Sequence, residues 1–164
     1  MTMTQIYLGI GSNIDRETNI PNGLNELKSR FGDINVSPVY ESKALGFEGD
    51  DFYNLVVGFN TRISVDDLEI QLREIEYKFG RKRKETRYSS RTLDIDLLVY
   101  GDLVSEKHHV PRSDIIEFGF VLKPLFDIDP EFRHPVTGES MSQLWKNFDA
   151  SSQEMSQTLQ AFNL

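Results

Sequence analysis

The chain has no cysteine. Disulfides, thiolate metal sites and cysteine nucleophiles are therefore excluded. Histidine is scarce too, and His108, His109 and His134 lack metal-ligand spacing, which points to surface roles. No apolar run approaches the roughly 20 residues of a membrane span, so no membrane association is expected. The opening "MTMTQIYLGIGSN" carries no basic stretch ahead of an apolar one and no small-residue cleavage pattern. No secretory signal is read there, and the cytoplasm is the expected location. Positive charge is in short supply: 18 Lys and Arg stand against 26 Asp and Glu, a net −8. Nucleic-acid binding needs the opposite balance, so no nucleic-acid partner is expected.

The positive charge that does exist is concentrated. Between Lys78 and Arg91 there are seven basic residues and one acidic one. A basic patch on an acidic protein suits a small polyanion better than a long one. With 164 residues, 38% apolar and 27% charged, the chain reads as one globular domain over 1–164. It is expected to act as a monomer, with a polar tail that frays from about Ala150.

Residues 5–13, 34–45, 52–63 and 93–101 read as strands, the second bent or at an edge near Pro38. Ile20, Leu24, Leu27 and Phe31 recur at helical spacing, with Pro21 near the start and Gly32 past the end. Leu68, Leu72, Ile75 and Phe79 repeat that spacing between a Ser64 cap and Gly80. The order β-α-β-β-α-β predicts a ferredoxin-like α+β sandwich with a mainly antiparallel sheet. Additional elements follow, including a short helix within 141–149.

The chemistry concentrates in "RYSSRTLDID" (87–96). In a strand, Asp94 and Asp96 point to one face and Leu93, Ile95, Leu97 and Val99 to the other. Two carboxylates roughly 6.5–7 Å apart repel by roughly 2–3 kcal/mol at an effective dielectric of ~20. Water or a cation must offset this, and hard oxygen ligands favour Mg²⁺. A solvated strand face is the bland alternative. The long polar loop 81–92 changes the balance, because Arg81, Arg83, Arg87 and Arg91 present forks suited to phosphate oxygens. Carboxylates on a strand beside an arginine loop point to metal-assisted phosphoryl transfer.

The segment "RTLDIDLLVYGD" (91–102) resembles the signature of the 6-hydroxymethyl-7,8-dihydropterin pyrophosphokinase family. Supporting segments are "YLGIGSN" (7–13), "FYNLVVGF" (52–59), "GRKRKETR" (80–87) and "FVLKPLFDIDP" (120–130), in the family's order and spacing. The resemblance implies transfer of the β,γ-pyrophosphoryl group of ATP to the pterin hydroxymethyl oxygen, giving AMP and the pterin diphosphate in folate biosynthesis. It assigns Asp94 and Asp96 to two Mg²⁺ ions. It gives Arg81, Arg83, Lys84, Arg87 and Arg91 to the phosphates of ATP, with Arg83 and Arg91 counted with the aspartates as catalytic. It places Asn54 on the pterin edge, Phe52 and Phe120 around the pterin ring, and Ser42, Leu45 and Tyr88 as covering groups. Glu76 falls on a recurrent acidic position of the second helix, with a structural role.

The chain departs from the family pattern in three places. Ser89-Ser90 stands where Gly-Pro is usual. Arg112 replaces a histidine and Ser113 a proline in "VPRSDIIEFGF" (110–120), and Phe118 occupies a usual arginine position. Arg112 keeps a charge for ATP phosphate; Phe118 has none. The departures leave open a divergent paralogue with weak or altered activity. A noncatalytic interaction module is a third reading, and it gives no reason for the aspartates and arginines to co-occur.

Overall fold

The computed structural model describes residues 2–44, 48–80, 92–153, 155–158, 160 and 162. Six strands form one sheet: β1 (Thr4–Ser12), β2 (Asn35–Val36), β3 (Tyr40–Ser42), β4 (Phe52–Thr61), β5 (Asp94–Tyr100) and β6 (Met155–Gln157). The sheet order is β5-β1-β4-β3-β6, with β2 also on β4, and every pairing is antiparallel. The helices are α1 (Arg16–Phe31), α2 (Val65–Lys78), α3 (Asp114–Glu117), α4 (Gly119–Ile128) and α5 (Met141–Lys146). The βαββαβ sandwich expected from the sequence is present, with α3 to α5 and β6 added. Among the described residues, no helix is long and apolar enough to cross a membrane.

Residues 34–45, read as one strand, form two. Pro38 lies between β2 and β3, and Ser37 bridges the gap: its N–H donates to Val56 O (2.9 Å) and its hydroxyl accepts from Val56 N (2.8 Å). Nothing in the polar tail signals order, yet Met155–Gln157 pairs with β3, and Thr158 N donates to Val39 O.

Alternation along the strands divides the sheet into two faces. One carries Ile6, Leu8, Ile10, Leu55, Val57, Phe59, Ile95 and Leu97, which pack with Ile20, Leu24 and Leu27 of α1 and Leu68, Leu72 and Ile75 of α2. The other carries Tyr7, Val56 and Val99 against Val121, Leu122 and Leu125 of α4. Val99 was expected to share a face with Leu93, Ile95 and Leu97. It does not, because the β1–β5 register shifts between Tyr7 and Leu8, so that Tyr7 pairs with Val99 while Leu8 pairs with Leu97. Such a bulge inserts one residue and reverses the alternation beyond it.

Polar tethers fix α4 on this second face. The Tyr7 hydroxyl donates to Asp129 just past the helix, and the Tyr40 hydroxyl donates to Asp127 within it. Burial, then the bonded carboxylate, raises the pKa of both phenols, so they stay protonated donors.

β5 is an edge strand of the sheet. Its outward Ile95 N–H is capped by Glu76 of α2, whose Oε2 accepts at 2.9 Å. Glu76 is fully buried and is also bonded by Arg73. One carboxylate therefore sets α2 against the strand segment between Asp94 and Asp96. Glu76→Ala orphans a buried N–H and should cost about 2–4 kcal/mol. Denaturant unfolding checks this, and Glu76→Gln, which keeps an acceptor, should lose less. Equal and small losses for both variants would mean the bond does not hold the strand.

Candidate active site

The segment "YLGIGSN" builds the floor of the site. Tyr7, Gly9 and Gly11 alternate onto the second face of β1. Register places Gly11 opposite Asp94 on one side and Asn54 on the other, and Gly9 opposite Asp96 and Val56. With strands roughly 4.8 Å apart, Asp94 and Asn54 stand about 10 Å apart across a strip with no side chain. A Cβ on Gly11 would sit 3.7 Å from Asn54 Oδ1 and 3.7 Å from Phe52 Cδ1. Sequence reasoning took Gly9 and Gly11 only as part of a strand. The available signal was glycine at i and i+2 within an otherwise apolar β run, which marks a close approach to the backbone.

Asn54 is buried, and its orientation follows from its partners. Its Nδ2 donates to Ser42 Oγ (2.8 Å) and to Tyr40 O (3.2 Å). Both amide protons are thereby committed, which turns Oδ1, an acceptor, toward Gly11. Ser42 pairs with Phe52 across β3 and β4, so Ser42, Phe52 and Asn54 form one wall.

Asp94 and Asp96 share the second face of β5, both half-buried. Desolvation first, then the adjacent Asp94 charge, pushes the Asp96 carboxyl well above the usual carboxylate range, while Arg112 opposes the shift. Arg112 Nη2 lies 3.7 Å from Asp96 Oδ1, and its Nε lies 3.2 Å from Asp114 Oδ2. Its backbone N–H donates to Leu98 O (2.9 Å), just after the cis Val110–Pro111 bond. Arg112, which stands where the family pattern has a histidine, is thus brought to the carboxylate pair.

Two crowded carboxylates that resist joint ionisation, with oxygen donors only, fit a hard divalent cation. Among the described residues, no group of three or more His, Asp or Glu could hold a metal. The pair leaves positions for water and phosphate oxygens, as Mg²⁺ prefers.

Phe120 lies in the first turn of α4. Its ring stacks on Phe118, with centroids 5.1 Å apart and planes at 18°. Phe118, between α3 and α4, supplies a ring to its neighbour where the family pattern has an arginine. Leu45, Arg81, Arg83, Lys84, Arg87, Tyr88 and Arg91 lie outside the described residues. The surface expectation holds for His109, which is exposed, and needs correction for the other two histidines. His108 is held by Glu69 (2.8 Å), with Asp66 at 3.5 Å, and its side chain is 11% exposed. His134 is buried, and its Nδ1 accepts from Val136 N and Thr137 N. Both are structural tethers outside the site, formed by partners distant or folded back in a turn, which residue spacing does not report.

Comparison with known proteins points to one family. Residues 7–130 match the family model described as 7,8-dihydro-6-hydroxymethylpterin-pyrophosphokinase (HPPK). A 2-amino-4-hydroxy-6-hydroxymethyldihydropteridine pyrophosphokinase from Aquifex aeolicus is 34% identical over 138 residues, covering 82% of this chain and 86% of its own. One of the same name from Haemophilus influenzae is 30% identical over 152 residues, covering 89% of this chain and 94% of its own. Among solved structures, a Plasmodium falciparum HPPK-DHPS variant superposes with a TM-score of 0.70 at 14% identity over 88% of this chain. That similarity concerns the fold, and this chain spans 45% of the longer Plasmodium chain. The match over residues 7–130 and relatives of comparable length converge: the chain belongs to the 7,8-dihydro-6-hydroxymethylpterin-pyrophosphokinase family.

Proposed function

We propose that the chain transfers the β,γ-pyrophosphoryl group of ATP to the hydroxymethyl oxygen of 6-hydroxymethyl-7,8-dihydropterin. The observation that carries this reading is the lateral row Asp94–Gly11–Asn54. It sets a carboxylate pair at one end of a bare floor and a fixed amide acceptor at the other. A phosphate chain and a flat heterocycle need those two ends at once.

At the pterin end, Asn54 Oδ1 accepts an edge N–H, with its own amide protons held by Ser42 and Tyr40. Phe52 and Phe120 supply apolar faces for the ring, and Leu45 and Tyr88 cover it. At the phosphate end, Arg81, Arg83, Lys84, Arg87, Arg91 and Arg112 offset the oxygens of ATP. Asp94 and Asp96 would hold two Mg²⁺ ions, which would supply positive charge against the transferring group. The hydroxymethyl oxygen bonds to the β-phosphorus, and the bond from that phosphorus to the α,β-bridging oxygen breaks. AMP leaves with the bridging oxygen, and the hydroxyl proton passes to water. The reading includes a cytoplasmic monomer.

Three substitutions test the two ends. Asp96→Ala and Asp94→Ala should each lower pterin-dependent AMP release by about 10²–10³-fold or more, with little change in melting temperature. Near-native turnover in either variant would sink the metal assignment. Gly11→Val places methyl groups on the floor beside Asn54 and should raise the pterin KM by about tenfold or more. Steady-state kinetics with each substrate varied in turn checks this; an unchanged pterin KM would move the ring off β1.

A further inference from the structure

The family match ends at residue 130, but the chain beyond it returns to the pterin end of the site. It arrives through a 3-10 turn (Ala150–Ser152) and β6. Within this short stretch, two side chains reach both walls of the site.

The first is Gln153. Helix α4 begins at Gly119, and Phe118 at its N-cap makes no side-chain cap. First-turn N–H groups have no acceptor within their own helix. Gln153 supplies one from outside: its Oε1 accepts from Gly119 N at 2.8 Å. Its Nε2 donates to Glu117 O at 2.8 Å, at the end of α3. One side-chain amide therefore closes the start of α4 and the end of α3 together, across the two residues that precede Phe120.

The second is Met155. In β6 it pairs with Ser42 of β3, the residue whose hydroxyl receives Asn54 Nδ2. Its sulfur packs on the bare Cα of Gly119, where a Cβ would come within 2.8 Å of it and 3.2 Å of the Phe148 ring. The tail thus joins the strand carrying Ser42 to the helix turn carrying Phe120. β3 is only three residues long, and β6 supplies its pairing on the side away from β4.

We propose that Gln153 is a positioning residue for the pterin: it holds the first turn of α4, and with it the Phe120 ring, at a set distance from Ser42 and Asn54. This rests on the assignment of Phe120, Ser42 and Asn54 to the pterin. The side-chain amide acts through the two backbone groups it bridges. Its loss should weaken pterin binding selectively.

The test uses the full chain. Gln153→Met keeps length and removes both bonds. Gln153→Glu keeps an acceptor for Gly119 N but sets a carboxylate against Glu117 O. Each is assayed for pterin-dependent AMP release with each substrate varied in turn, and for unfolding temperature. Pterin binding is also titrated directly in the presence of a nonhydrolysable ATP analogue. The expected result for Gln153→Met is a pterin KM and Kd raised about five- to tenfold, for a loss of order one net hydrogen bond. Its ATP KM and kcat should stay within about twofold, and Gln153→Glu should fall between it and the parent. A lowered unfolding temperature with unchanged pterin KM and Kd would overturn the proposal and leave Gln153 a structural staple. Parallel changes in both KM values would overturn it too. If the parent chain itself releases no AMP in response to the pterin, the pterin assignment fails first and the proposal with it.

Discussion

The register of β1 against its two neighbours is the constraint on which the site depends. β1 lies between β5 and β4, so any residue on its second face is flanked by one residue from each. At two positions those flanks are aspartates on β5, and the residues between are glycines. A one-residue slip in either pairing would turn every side chain of the slipped strand to the opposite face. The placement of Asp94 and Asn54 either side of Gly11 is therefore as secure as the strand pairing, and no loop is needed to bring them there. Glu76 guards the same register from the far side, through the N–H that separates the two aspartates.

The second face is shared between packing and chemistry. Helix α4 covers the end that carries Tyr7, Val56 and Val99, and phenol-to-carboxylate bonds at Asp127 and Asp129 stop it sliding. Gly9 lies under the Leu98 side chain, where a Cβ would meet it at 3.4 Å, and the other end is left to Gly11 and the polar side chains around it. The first turn of α4 stands at the border between the two zones. That is why Phe118 and Phe120 pack only partly into the apolar cluster and stack on each other at its margin.

Much of this was legible in the sequence where the pattern is local. The period-2 alternation of "LDIDL" puts Asp94 and Asp96 on one face, and the helical spacing of Leu68, Leu72 and Ile75 gives α2 its buried side. What sequence reading missed depends on partners far along the chain. The importance of Gly9 and Gly11 lies in what stands across from them, and strand pairing is not written in β1 itself. Val99 changed face because of a bulge that no residue type announces. The pairing of Arg112 with Asp114 and its approach to Asp96 require the chain to turn after β5. His134 is an acceptor buried in a tight turn, and composition gives no hint of it. β6 gains order from β3, so its polar sequence alone reads as tail.

The bulge between Tyr7 and Leu8 has one more implication. Without it, strict alternation would send Val99 to the face covered by α1 and α2, with Ile95 and Leu97. The inserted residue acts like a frameshift in the inward–outward code of β5. Before it, the even-numbered Asp94 and Asp96 face the second side of the sheet; after it, odd-numbered Val99 faces the same side as packing material. A single strand thereby speaks in two reading frames, and substitutions on β5 must be interpreted according to which side of the shift they fall.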